Sequence, residues 1–291
     1  MSLSMNRRTF VLSFAAAAGS VILAGCGGAP AATNSSESSN ASTDAAADTT
    51  SATATSKLIL GFDAAYPPYG YADPDNPGSY TGFDIELAQE VTKRLDWELQ
   101  LEPLEWAGKD AQLNSGAVNC LWNGFTMEGR EEDYTFSEPY MLNGQVIVVK
   151  KDSGIASFDD LAGKNVITQD DSAAQEVLEG DKADLAGTFG SLEVTPDYNT
   201  AFMQLEAGAV DAVACDLSIA AYQLAAKPDV YLQLDEDLST EHYAVAFKKG
   251  DTATADTVTE TLKAMDTDGF VKDLCNKYAD QGISYDNWCL K

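Results

Sequence analysis

Three residues of this sequence have side chains and neighbours suited to binding a small charged molecule. Arg130 presents a fork of donors that matches a carboxylate, although an ion pair with a neighbouring glutamate would satisfy it equally. Ser172 opens a Ser-Ala-Ala-Gln capping box, and such a helix start attracts anions as well as carrying a cap. Asp216 follows an apolar strand, where it could accept from a cation or cap the next helix. These residue types together allow one ligand that carries both charges.

Composition excludes several other kinds of chemistry. The chain has one histidine, His242, which argues against a histidine-rich metal site and leaves a Ser–His–Asp triad a single candidate base. Acidic residues number 46 against 18 basic ones, for a formal net charge of −28. Such a surface repels nucleic acid and is not held electrostatically on an anionic membrane. We therefore expect no metal, no cofactor and no nucleic-acid partner.

The elements that must position these residues alternate between strands and helices. The pattern predicts strands at 57–62, 97–101, 118–122, 164–168, 192–195 and 210–215. It predicts helices at 84–95, with Asp84 as the N-cap, and at 107–114, 172–179 and 200–207. Such alternation is typical of parallel sheets with crossover helices.

Two stretches, 112–119 and 204–211, repeat one pattern: a helix end, a glycine and a strand start. The repeat indicates two similar α/β units. Ligands of open α/β sheets bind at the carboxyl ends of the strands, so two units facing each other would form a binding cleft.

The N-terminal part of the chain reads as an export signal followed by a tether. Two arginines precede an uncharged run, 10–24, that is short for a membrane span and suits a signal peptide by either the Sec or the Tat route. The run ends in Leu-Ala-Gly-Cys, which resembles a bacterial lipobox; a plain secretory signal is the alternative. We expect residues 1–25 to be a lipoprotein signal peptide, and 26–56 to be a lipid anchor at Cys26 with a disordered linker.

Four motifs follow in order along the rest of the chain. They are Gly61-Phe-Asp-Ala-Ala-Tyr-Pro-Pro-Tyr-Gly, Gly82-Phe-Asp-Ile-Glu-Leu-Ala, Gly124-Phe-Thr-Met-Glu-Gly-Arg and Tyr134-Thr-Phe-Ser-Glu-Pro-Tyr. With them the chain resembles the polar amino-acid family (family 3) of bacterial extracytoplasmic solute-binding proteins, the receptors of ABC importers, over about 58–280.

The resemblance implies an α/β, two-lobed periplasmic-binding-protein-like fold of type II. Each lobe would be a mixed sheet flanked by helices, and two hinge strands, near 144–150 and 241–248, would join the lobes. Residues 57–144 with 246–291 would form lobe 1, and 145–245 would form lobe 2.

The resemblance also implies a binding site for a free, polar L-amino acid. Its ligand-binding residues would be Asp63, Tyr66, Trp106, Asn123, Gly124, Thr126, Arg130, Gln169, Ser172, Ala173 and Asp216. Arg130 and Ser172 would bind the carboxylate and Asp216 the ammonium, because either charge is costly to bury unpaired. The backbone of Asn123 and the hydroxyl of Thr126 would complete this shell.

The remaining residues of that site would shape it. Tyr66 and Trp106 would shield the charges from water, and Asp63 and Gln169 would meet the ligand side chain. The sequence departs from the family pattern twice. The loop to the arginine is one residue shorter, which leaves its geometry undecided. Ala173 stands where relatives often carry a hydroxyl, so only its backbone would contact the ligand.

The resemblance implies a monomeric, lipid-anchored, extracytoplasmic protein that delivers its amino acid to the permease of an ABC importer and is not an enzyme. An acidic cleft argues against glutamate or aspartate as the ligand. Two alternatives stay open. A dehydratase-like enzyme on the same fold would need a proton donor such as Asp63 or Glu105, and a ligand sensor would need a separate membrane partner.

The chain has five cysteines. Besides Cys26, Cys275 and Cys289 could form a disulfide that pins the C-terminus and contributes roughly 3 kcal/mol. Cys120 and Cys215 fall in corresponding strands of different units, so we expect two separate buried thiols.

Overall fold

The computed structural model describes residues 56–291. The predicted signal peptide, Cys26 and the linker up to residue 55 lie outside the described residues. The strands are β1 Lys57–Phe62, β2 Ala65–Tyr66, β3 Gly70–Ala72, β4 Tyr80–Thr81, β5 Glu98–Pro103, β6 Cys120–Leu121, β7 Tyr134–Phe136, β8 Met141–Lys150, β9 Asn165–Gln169, β10 Ser191–Thr195, β11 Ala212–Asp216, β12 Tyr231–Tyr243 and β13 Ala246–Lys248.

The helices alternate with these strands. They are α1 Phe83–Leu95, α2 Lys109–Ser115, α3 Ala173–Glu179, α4 Ala183–Ala186, α5 Tyr198–Ala207, α6 Leu217–Ala226, α7 Thr252–Thr267 and α8 Phe270–Lys277. Short 3₁₀ turns lie at Trp106–Gly108, Phe158–Leu161, Ala279–Gln281 and Tyr285–Asn287. None of the helices within 56–291 has both the length and the apolar character that crossing a membrane requires.

The strands form two five-stranded mixed sheets and one small three-stranded sheet. The first sheet has the order β5-β1-β6-β13-β7, in which β1 runs parallel to β5 and β6 while β13 is antiparallel to β6 and β7. The second has the order β10-β9-β11-β8-β12, in which β8 is antiparallel to β11 and β12. The small sheet, β2-β3-β4, precedes α1. The prediction of an α/β fold with mixed sheets flanked by helices is confirmed.

The chain passes between the two sheets along β8 and β12. These strands pair from Met141↔Tyr243 through Asn143↔Glu241 to Gln145↔Ser239, and then continue into the second sheet. β7 and β13, on the other side of the crossings, belong to the first sheet. The lobe boundaries given above are compatible with this path and remain a proposal.

The internal repeat adopts one geometry twice. Gly116 ends α2 and Gly208 ends α5, each with a positive φ (79° and 73°) that a residue with a Cβ rarely adopts. Beyond each glycine a polar side chain accepts from the backbone of the neighbouring strand. Asn119 accepts from the N–H of Ile59 at 2.7 Å, and Asp211 accepts from that of Asn165 at 2.8 Å.

Two predictions are wrong. Asp84 does not cap α1, because Gly82 is the N-cap. The Asp84 carboxylate is fully buried and accepts from the Gly124 N–H at 2.6 Å and the Tyr140 hydroxyl at 2.7 Å. Cys275 and Cys289 are both free thiols. Cys275 is buried in α8, whereas Cys289 is exposed and its Sγ contacts the Asn287 carbonyl at 3.4 Å, so the proposed disulfide is not formed.

Candidate functional site

A cavity of about 290 Å³ lies where strand ends of the first and second sheets come together. It is lined by Tyr66, Trp106, Asn123, Gly124, Phe125, Thr126, Arg130, Gln169, Ser172, Ala173 and Asp216. These are all the predicted ligand-binding residues except Asp63, with Phe125 in addition.

Arg130 supplies a positive charge to this cavity. Its side chain is buried, with the guanidinium 4.9 Å from the centre of the Phe125 ring and one N–H donating to the Thr126 carbonyl at 3.3 Å. The predicted alternative, a pair with an adjacent glutamate, is not what the structure contains. Arg130 instead pairs at 3.0 Å with Glu176 of α3, whose carboxylate is half-exposed.

Ser172 and Ala173 stand at the start of α3, beside the end of β9. Ser172 is the N-cap, and its hydroxyl accepts from the Gln175 N–H at 3.2 Å while lying 3.2 Å from the Thr168 hydroxyl. Both Ser172 and Ala173 are buried. The cap predicted from the sequence is therefore present, and it faces the cavity that Arg130 also lines.

Asp216 supplies the negative charge. It ends β11 and accepts from Gln145 Nε2 at 2.8 Å, the Tyr243 hydroxyl at 2.9 Å and Asn143 Nδ2 at 3.1 Å. Burial raises the pKa of its carboxyl group, because the charged form loses water, and these hydrogen bonds partly offset the shift. A cation in the cavity would favour the charged form.

Aromatic rings close the cavity. Tyr66 packs at 6.0 Å between ring centres on Tyr198, and its hydroxyl lies 3.2 Å from that of Tyr243. Trp106 stands edge-on to Phe125 at 5.3 Å. Buried rings beside the two charges reduce the screening of their fields by solvent.

Asp63 lies just outside the cavity. It follows β1, and its carboxylate accepts from the side chain of Gln169 at 2.7 Å. Burial raises the pKa of Asp63 to about 6, despite this hydrogen bond and one from the backbone of Ala65. Asp63 lines a neighbouring open space of about 760 Å³ together with Glu105 and Asp197, and Trp106 borders both spaces. The acidic side chains of Asp63, Glu105 and Asp197 therefore lie on the other side of Trp106 from the cavity.

Sequence reasoning missed several charged groups around the cavity. Lys109 is buried, its Nζ 5.2 Å from the centre of the Trp106 ring, and it forms an ion pair with Asp171. Burial lowers the pKa of Lys109, and Asp171 counteracts the shift. Glu176 pairs with Arg130, and Glu241 lies buried behind Asp216. No sequence pattern around Lys109 predicts the ion pair, because its partner Asp171 lies far along the chain, between β9 and α3.

Residues 56–291 contain no group of three or more His, Cys, Asp or Glu side chains placed to hold a metal ion. The cavity itself is lined by side chains of both charges, hydroxyl groups and aromatic rings.

Comparisons with known proteins agree on one family. The sequence profile described as "Bacterial extracellular solute-binding proteins, family 3" matches residues 58–281. The L-cystine-binding protein TcyJ of Escherichia coli (strain K12) is 31% identical over 225 residues, which are 76% of this chain and 82% of that protein.

Solved structures give the same result. An ABC uptake transporter substrate binding protein from Streptococcus pneumoniae with bound histidine has a TM-score of 0.74 at 30% identity, and the match covers 79% of this chain and 95% of that one. The ancestral amino acid-binding protein AncCDT-1, a precursor of cyclohexadienyl dehydratase, has a TM-score of 0.69 at 31% identity, covering 77% and 95%. The type II periplasmic-binding-protein fold predicted from the sequence is confirmed.

Proposed function

Because this chain belongs to family 3 of the bacterial extracellular solute-binding proteins, we propose that it captures a free L-amino acid for an ABC importer. The observation that carries the proposal is the presence of opposite charges in one cavity. Arg130 and Asp216 are both buried there and line the same space of about 290 Å³. A free amino acid has a carboxylate and an ammonium group that these two side chains would neutralise.

The ligand would carry a polar side chain. Gln169 and the acidic groups beyond Trp106 support this part of the proposal, because they offer hydrogen bonds and negative charge where the side chain would extend. The same groups disfavour glutamate and aspartate, whose extra carboxylate would extend towards Asp63, Glu105 and Asp197.

The protein would act outside the cytoplasmic membrane as a lipid-anchored monomer. Support for the anchor is the Leu-Ala-Gly-Cys motif at Cys26, and support for the location is the run of apolar residues before it. The partner would be the permease of the importer, which receives the amino acid from the cleft.

The proposal is tested by a thermal-shift screen of the full chain against each common L-amino acid and L-cystine. A ligand with a micromolar Kd, about −8 kcal/mol, raises the free energy of unfolding by ~2.7 kcal/mol at a hundredfold excess over the Kd. We expect a clear rise in Tm with one ligand or a few. No rise with any of them would contradict amino-acid capture.

A second function, catalysis on a bound amino-acid-like acid, is favoured by one observation. Asp63 is a buried acid with a raised pKa next to the cavity, and one structural neighbour is named as a precursor of a dehydratase. The two functions differ in the fate of the ligand. Mass spectrometry of the ligand released after long incubation should find it unchanged for a binding protein and dehydrated for an enzyme.

A further inference from the structure

A second buried carboxylate, that of Glu241, lies directly behind Asp216. Glu241 belongs to β12 and is 2% exposed, and Asp216 is 4% exposed. The amide nitrogen of Gln145 donates to Asp216 Oδ1 and to Glu241 Oε1, at 2.8 Å each. Because both oxygens bind the same nitrogen, the distance between them cannot exceed the sum of these two donor–acceptor distances.

Only neutral groups hold the two carboxylates. The amide nitrogen of Asn143 also bridges them, at 3.1 Å to Asp216 and 2.8 Å to Glu241, and the Thr126 hydroxyl donates to Glu241 at 2.7 Å. Among the ion pairs of residues 56–291, none includes Asp216 or Glu241. Two like charges that share donors in a buried place do not both ionise readily.

We propose that Asp216 and Glu241 act as one acceptor, which holds a single proton while the site is empty and releases it when the ligand's ammonium group binds. This rests on the proposed function, which assigns the ammonium to Asp216. The O–H bond of the shared carboxyl group breaks, the proton passes to the solvent buffer, and the ammonium charge replaces it. Binding then replaces the proton with the ligand's ammonium group.

Charged and titratable groups from several elements lie around the two carboxylates. Tyr243 of β12 donates to Asp216 and contacts Tyr66 of β2, and Arg130 lines the cavity with Asp216. Glu128 after β6, Glu176 of α3 and Asp181 before α4 line a neighbouring space with Glu241, and His242, the next residue of β12, pairs with Glu128. Burial, with the charge of Asp216 as the next cause, raises the pKa of Glu241 to about 7. A raised pKa means that the proton is held below neutral pH, so ligand affinity should rise with pH up to about 7 and level off above it.

Calorimetry of the full chain measures the exchange directly. The probe is the common L-amino acid, or L-cystine, that gives the largest heat, titrated at about pH 6.5 in phosphate and in imidazole, whose ionisation enthalpies differ. We expect wild type to release more than half a proton per ligand, because this pH lies below the pKa of about 7. Glu241→Gln should release clearly less, and its affinity should lose most of the rise of up to about tenfold per pH unit below neutral. Glu138→Gln, an exposed acid paired with Lys263, should behave as wild type.

The difference between wild type and Glu241→Gln is the quantity that decides, since Asp63 titrates in the same range in both proteins. Equal proton release by the two would overturn the inference while amino-acid binding stands. No heat with any probe would overturn both the inference and the proposed function. Infrared spectra of wild type provide a measurement without a variant. Burial also raises the pKa of Asp84 to about 7, so part of the protonated-carboxyl band near pH 6.5 belongs to that residue. The band should lose intensity when ligand is added, and an unchanged band at saturation would also overturn the inference.

Discussion

At the scale of single residues, two buried side chains give the cavity its opposite charges. Arg130 and Asp216 carry the charges, and both are buried, so each depends on a partner of opposite sign. Arg130 has one in Glu176, which is half-exposed and hence a weak partner. A ligand carboxylate enclosed in the cavity would be less screened than Glu176 and would compete for the guanidinium.

Removing either charge should therefore weaken binding far more than removing a hydroxyl. We expect Arg130→Ala and Asp216→Ala each to lose roughly 3–5 kcal/mol of binding free energy, since each leaves the opposite ligand charge buried alone. Ser172→Ala should lose about 1 kcal/mol. Isothermal titration calorimetry measures all three, with Arg94→Ala, a surface arginine paired with Glu90 and Asp268, as the control. Wild-type affinity in Arg130→Ala would remove that residue from the site.

The sequence could point to Arg130 and Asp216 through the family resemblance, and to Ser172 also through its capping box. Glu241 could not be found in this way. Its contacts depend on the pairing of β12 with β8, where irregular register between Gln233 and Ser239 hides the alignment. The Lys109–Asp171 ion pair could not be predicted either, because its two residues lie far apart in the sequence.

Among the elements, the turn after β6 sets the geometry of the cavity most tightly. Gly124 has φ +59°, and a Cβ there would lie 2.9 Å from the Tyr243 ring and 3.2 Å from the Tyr66 ring. Its N–H donates to the buried Asp84 carboxylate, which fixes the turn to the start of α1. The Tyr66 and Tyr243 rings therefore pack against this glycine.

Gly124→Ala should destabilise the fold and weaken ligand binding together. The left-handed backbone costs a residue with a Cβ about 1–2 kcal/mol, and displacement of Tyr66 and Tyr243 adds to that loss. Gly78→Ala is a matched control, since it has φ +91° with nothing within 4 Å of the added Cβ. Thermal unfolding and calorimetry of both variants separate the two effects. An equal fall in Tm for the pair, with unchanged affinity, would show that the rings accommodate the methyl group.

Elements with local capping signals could be predicted well, and those set by distant contacts could not. The helix predicted at 172–179 is capped by Ser172, as its sequence indicated. The strand predicted at 118–122 spans only Cys120–Leu121. Asp84 looked like a cap, yet its carboxylate is taken by Gly124 and Tyr140, which lie far along the chain.

For the whole molecule, ligand binding should bring the two sheets together. On the proposed division, Arg130 belongs to one lobe and Ser172 and Asp216 to the other, so an open form cannot satisfy both ends of the ligand. Contacts already cross between the two parts, including the Lys109–Asp171 ion pair and the Gln169–Asp63 hydrogen bond. The ligand would favour closure further, because only a closed form lets it contact Arg130 together with Ser172 and Asp216.

Small-angle scattering should show a smaller radius of gyration when ligand is added to the full chain. Asp216→Ala, whose weakened binding should leave it largely empty at the ligand concentration that saturates wild type, serves as the control and should keep one profile at that concentration. An unchanged wild-type profile at saturation would mean a permanently closed protein or a site within one lobe. The assignment of these residues to two lobes would then have to be withdrawn.

The place of β13 in the first sheet also fixes the order in which a growing chain can complete its parts. β13 lies between β6 and β7, so this sheet has a gap until Ala246–Lys248 has been synthesised. The second sheet is complete as soon as Tyr243 exists, because all its strands lie within Met141–Tyr243. The synthesis of the first sheet therefore begins before that of the second sheet and is completed after it. A chain that stopped before Ala246 would contain one finished sheet and two unpaired strand edges, which are prone to pair with other chains.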